Sequence, residues 1–162
     1  MLDASWCQLL REKLSMARQV LRVAEQFWHQ NPGPTNEGLV QGALGLIDEA
    51  RTILLKQVAK TCQLDDFEGV SLFDLRQRAG DDPGELRILE GFERDADSWW
   101  SRLDALLAEQ RTPRKRDRRP QADDLIAVAD ASAPDRSPAA VQSLIDEFGT
   151  YFEAFTERHD QW

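Results

Sequence analysis

The chain has few of the residues that build covalent staples or catalytic centres. In 162 residues cysteine, histidine and methionine each occur twice and tyrosine once. Cys7 and Cys62 are too few for a disulfide-stapled secreted scaffold, and neither belongs to a Cys-x-x-Cys or Cys–His pair, so both are expected as reduced structural thiols. No stretch approaches the roughly 18 uncharged apolar residues of a membrane span. The N-terminal sequence MLDASWCQLLREKL places Asp3 where a secretory leader carries Lys or Arg, so a cytoplasmic protein without membrane contact is expected. There is no Gly-rich phosphate loop, no Gly-x-Ser-x-Gly elbow and no Walker motif.

Metal chemistry is equally poor in candidates. A di-iron helical bundle uses Glu-x-x-His pairs. Here Glu25 lies four residues before His29 and Glu157 two before His159. A zinc site would need both cysteines and both histidines to converge from isolated positions. Neither metal nor cofactor is therefore expected. The paired acids Asp65–Asp66 and Asp81–Asp82 sit at expected turns and helix starts, where capping accounts for them.

What the chain does have is an apolar pattern with helical period. Hydrophobic residues make up 41% and charged residues 30%, with a net charge of −9. That composition folds, at a length where one domain buries about 68–70% of its unfolded surface. Trp6, Leu10, Leu14, Ala17, Leu21, Ala24 and Trp28 recur at steps of three and four, which predicts a first helix over 3–29. Pro32, Gly33 and Pro34 interrupt it, and Thr35 or Asn36 is the expected cap of a second helix over 37–61. Apolar residues cover more than one stripe of that helix, which places it centrally. Gly38, Gly42 and Gly45 each cost roughly 1 kcal/mol against Ala inside a helix. Close approach of a neighbouring helix within the chain is the expected compensation.

A short helix is predicted over 71–79, with Ser71 as its cap and Gly80 after it. Asp81, Asp82 and Pro83 open a further helix to about Gln110, whose stripe is Leu86, Leu89, Phe92, Ala96, Trp99, Leu103 and Leu106. Asp74–Arg78 and Glu90–Arg94 are i,i+4 pairs in the favourable order. Ser137 and Pro138 start the last helix, which runs to about Arg158. The expected fold is all-α. It is an antiparallel four-helix bundle with a short extra helix and one long, partly disordered crossover before the last helix, all within a single domain over 1–162.

That crossover, 111–136, opens with RTPRKRDRR at +5, between flanks of −7 over 1–110 and −7 over 120–162. Arg114, Lys115, Arg116, Arg118 and Arg119 repel one another and are expected in solvent. They serve either as a solubilising tether or as a contact for an acidic partner or phosphates. The acidic flanks argue against nucleic acid. The apolar island Leu125–Val128 is expected to dock as an extended segment. Trp is the surplus residue, with five in the chain. Trp99 continues a core stripe, and with Trp100, about 100° further round the helix, and the terminal Trp162 it is a candidate for a partner interface, the alternative being that these rings cover the bundle seam.

Two resemblances follow. Arg22 and His29 are spaced as Arg-x₆-His, which resembles the catalytic motif of HEPN-type ribonucleases, helical proteins that pair two such motifs in a dimer. The resemblance implies that Arg22 stabilises phosphate charge and His29 acts as acid or base. Val23 departs from the polar residue usual after the Arg. The same residues also fit a solvated helix flank made by Arg11, Arg18, Arg22, Glu25 and His29. The second resemblance spans most of the chain. REKLSMARQVL at 11–21, GALGLIDEARTILL at 42–55, SWWSRLDALL at 98–107, DLIAV at 124–128 and the terminal LIDEFGTYFEAF helix together resemble a family of uncharacterised gammaproteobacterial proteins of the Pseudomonas and Marinobacter kind, catalogued as a domain of unknown function. It implies a small bacterial protein and supplies no activity. The expected function is a non-catalytic helical protein that binds a protein partner or a second copy of itself. The alternative is the ribonuclease using Arg22 and His29.

Overall fold

A computed structural model describes residues 2–28, 33–80, 84–113 and 133–159. The chain is all-α, and no strand occurs among the described residues. Its helices are α1 (Ala4–Trp28), α2 (Pro34–Thr61), α3 (Leu72–Ala79), α4 (Gly84–Arg94), α5 (Trp99–Arg111) and α6 (Pro138–His159). His29, the Asp81–Pro83 start, Arg114, Lys115, Arg116, Arg118, Arg119, the Leu125–Val128 island and Trp162 lie outside the described residues.

The expected α1 stripe is buried from Leu10 to Ala24, but at the N-terminal end Cys7 takes the core position and Trp6 is 38% exposed. α2 begins at Pro34 with Gly33 as its N-cap, one turn earlier than Thr35 or Asn36 would set it. Proline at the first helical position gives up an N–H that has no partner there anyway. Asn36 instead donates its Nδ2–H to the Phe27 carbonyl (3.0 Å), closing the last turn of α1. At the opposite end Asp3 donates its N–H to Gln57 Oε1 (2.9 Å) and pairs with Lys60 (3.2 Å). These two ties set α1 and α2 antiparallel.

Pairs along α6 set the remaining directions. Arg11–Glu153 (2.9 Å) and Arg18–Asp146 (3.3 Å) run α6 against α1. Arg51–Asp104 and Arg111–Asp48 run α5 against α2. Arg136, just before α6, reaches the Leu106 carbonyl (3.2 Å), Glu109 (3.3 Å) and Glu37 (2.7 Å), with only 9% of its side chain exposed. The start of α6 therefore lies at the rim where α5 ends and α2 begins. The core between these helices is apolar and continuous, built on Leu44, Ile47, Leu54, Leu103, Phe148, Phe152 and Phe155.

Three expectations are corrected. The helix predicted from Pro83 to Gln110 is two helices, α4 and α5, with an elbow at Asp95–Ser98, and Ala96 is exposed rather than on a stripe. Gly38, Gly42 and Gly45 do not admit a neighbour among the described residues, because a Cβ placed on any of them meets nothing there within 4 Å. The glycines face outwards, so intramolecular close packing does not account for them. Asp74 forms no pair with Arg78. It completes a capping box with Ser71, while Arg78 donates to the Asp66 carbonyl (3.4 Å). The Ser71 and Ser137 starts, the Gly80 stop at φ 66° and the Glu90–Arg94 pair (3.2 Å) match the sequence reading.

Candidate functional site

The elbow forms one wall of a concavity closed by α1 and α6. Helix α4 stops at Arg94, and Asp95 turns the chain by accepting the Asp97 N–H on Oδ1 (3.0 Å). Ser98 caps α5, its Oγ accepting the Ser101 N–H (3.2 Å). The Phe92 carbonyl, which the ended helix leaves free, accepts from the hydroxyls of both Ser98 and Ser101. This turn swings Trp99 inwards, where it stacks on Phe148 at a 4.2 Å centroid distance and a 2° interplanar angle. Phe92 and Tyr151 complete the aromatic cluster, meeting edge to face at 5.2 Å.

Above that cluster lies a groove of about 900 Å³ between α1, α6 and the elbow. Its floor is apolar, with Leu21, Phe92, Trp99, Tyr151 and Ala154. Its rim is acidic. Glu25 comes from α1, Asp95 and Asp97 from the elbow, and Asp146 and Glu147 from α6. Asp146 is paired with Arg18, and Glu147 with Arg102 (2.6 Å). Among the described residues Glu25, Asp95 and Asp97 have no ion pair, and neither does Arg22, the one cation on this rim. The indole Nε1–H of Trp99, buried with the floor, has no acceptor among the described residues.

The floor is held from beneath by a buried carboxylate. Glu85, only 7% exposed, accepts from Tyr151 Oη (3.0 Å), from Arg158 Nε and Nη2 (2.8 and 3.1 Å) and faces His159 Nε2 (3.1 Å). Burial pushes the Glu85 carboxyl up, but Arg158, His159 and Tyr151 outweigh it and hold the group below the usual carboxylate range. Burial, and then the facing Glu85 charge, drive the Tyr151 phenol far above its ordinary value, so Tyr151 remains a neutral donor. The same burial raises the Cys62 thiol, which keeps it protonated and unreactive. Neither Cys7 nor Cys62 is in a disulfide. With both of its oxygens engaged, Glu85 fixes α4 to α6.

Of the residues singled out in the sequence, Arg22 reaches the groove rim and is exposed. Trp99 and Trp100 are 2% and 3% exposed, so both cover internal seams. Trp100 lies under the Arg51 guanidinium at 4.9 Å. Trp99 meets the groove only as part of its floor. Of the rim acids the sequence singles out only Glu25, as one charge of a solvated α1 flank; Asp95, Asp97, Asp146, Glu147 and the buried Glu85 are not picked out. The one signal was the surplus of Asp and Glu around 85–97, which also reads as a solvated helix face. Among the described residues no helix is long and apolar enough to cross a membrane, and no group of three or more His, Cys, Asp or Glu is placed to hold a metal.

The chain belongs to a family of unknown function, DUF6586, whose model matches residues 5–162. No curated protein and no solved structure gives a significant match.

Proposed function

For this member of a family of unknown function, we propose a non-catalytic, cytoplasmic role in which the acid-rimmed groove binds a basic peptide segment of a protein partner. The observation that carries the reading is the set of carboxylates without ion pairs, Glu25, Asp95 and Asp97, above an apolar floor. A Lys- or Arg-bearing segment would complement that rim, and an apolar side chain between its cations would cover Leu21 and Ala154.

A synthetic peptide of alternating Lys and Leu tests the reading. It should perturb the amide resonances of Arg22, Asp97 and Ala154. The Asp95→Asn/Asp97→Asn double variant should weaken binding about three- to tenfold, the loss of two exposed attractions of roughly 0.5 kcal/mol or more each. Perturbations spread over the whole acidic surface, unchanged in the double variant, would defeat it.

The ribonuclease reading keeps one supporting observation, the place of Arg22 on the same groove. Five carboxylates around that Arg repel a polyanion. RNA cleavage by the wild type that His29→Ala abolishes would displace the peptide-binding reading.

A further inference from the structure

Beside its buried stripe α1 carries a second apolar row, in which Leu9 and Val20 pack partly against the core while Trp6, Met16, Val23 and Phe27 stand exposed. Trp6, Leu9, Met16, Val20, Val23 and Phe27 follow helical steps one residue ahead of the buried stripe. Met16 is 51% exposed, Val23 43% and Phe27 46%, and they are among the few large apolar side chains left in solvent. Such side chains scattered singly need no explanation, but a stripe running the length of a helix does.

The stripe borders α2. Lys13, within it, pairs with Glu49, and Trp6 at its end lies beside Lys56 at 5.3 Å. Antiparallel packing then lays the Met16–Phe27 half of α1 beside Gly38, Gly42 and Gly45. The two helices present a ridge of apolar side chains next to a shelf with no side chains at all. Those glycines weaken α2 and bring nothing closer among the described residues, since a Cβ at each is unobstructed there.

We propose that a second copy of this chain occupies this face, the α1 ridge of each copy lying along the glycine shelf of the other's α2. Three features select a second copy. Ridge and shelf sit side by side on one face, so a two-fold rotation sets each ridge over the other's shelf, as an isologous contact requires. The face carries two charges of each sign, Glu12, Lys13, Glu49 and Lys56, and so has no net charge in a chain that carries −9 overall. Along the outer flank of α1 only Glu12 and Lys13 are charged, and Lys13 is already paired. Two acidic copies approach here with the least repulsion, and a strongly charged partner finds little to pair with. The face is also large enough. A strip the length of α1 and two helices wide offers on the order of 700 Å² per copy, against roughly 800 Å² in a standard interface. This surface is separate from the acidic groove, which α1 forms with α6 on its other side.

The test is the mass of the full chain by sedimentation equilibrium across the micromolar range. A two-chain species is expected. Val23→Glu, which places a charge on the ridge, and Gly42→Leu, which fills the shelf, should each weaken it at least about tenfold, with helical circular dichroism unchanged. In a lone copy position 42 is open, so Gly42→Leu should leave the melting temperature of the monomer unchanged or raise it. A single-chain mass throughout, or a dimer that both variants leave intact, overturns the proposal. So does a monomeric Gly42→Leu that melts lower than wild type, because the shelf would then be filled from within the chain. Asp97→Asn should not alter the mass, which keeps this outcome distinct from that of the groove.

Discussion

At the scale of single residues, Glu85 is the most buried charged residue among those described. Its carboxylate takes hydrogen bonds from Tyr151 and Arg158 and faces His159, groups 66 to 74 positions away in sequence. The folded-state pKa lies below the usual carboxylate value, so ionised Glu85 favours the folded state. Its contribution is full above the unfolded carboxylate pKa and is lost as pH falls through the lower folded value. Glu85→Gln keeps the shape and removes the charge. It should cost about 1–3 kcal/mol at neutral pH, and thermal melts from neutral to acid pH should show a shallower fall than wild type. An unchanged acid profile would mean that other carboxylates dominate acid unfolding. None of this network is legible in the sequence, because a lone Glu in a helix start reads as a capping charge and its partners lie on another helix.

At the scale of elements, the elbow between α4 and α5 shows where periodicity misleads. Phe92, Ala96, Trp99 and Leu103 keep helical spacing straight through the break, and no Gly or Pro marks it. The turn is made by hydrogen bonds instead. Ser98 Oγ serves both the Ser101 N–H and the Phe92 carbonyl, and Asp95 holds the Asp97 N–H. Ser98→Ala should cost about 1 kcal/mol. It should also disturb the near-ultraviolet signal of Trp99, whose entry into the core starts at that cap. Where one stripe, a proline or a Ser–Pro start was present, as in α1, α2, α3 and α6, the elements were legible to within a turn. The groove was not, since its rim draws on three elements and its acids look individually like solvated surface. The cost of the α2 glycines is legible in the sequence, but not that they lie on the outer side of the helix. Spacing alone does not say which face of a broadly apolar helix is the inner one.

At the scale of the whole molecule, Arg136 holds three helix ends at one rim, joining Glu37 before α2's second turn, Glu109 near the end of α5 and the entry to α6. The long link from α5 to α6 thus leaves and returns at the same place, and the fold asks nothing of its length. Loop-closure entropy changes by only about 0.6 kcal/mol for each doubling of a flexible loop. Replacing residues 114–132 with a Gly/Ser linker half as long should therefore leave the helical signal intact and shift the melting temperature little; a collapse of the melt would show that the bundle leans on that sequence. Because the described ends of the link meet at one rim, connections of many lengths can close the same short gap, and the directions of α5 and α6 are set by Arg136 and its partners at the ends of the link.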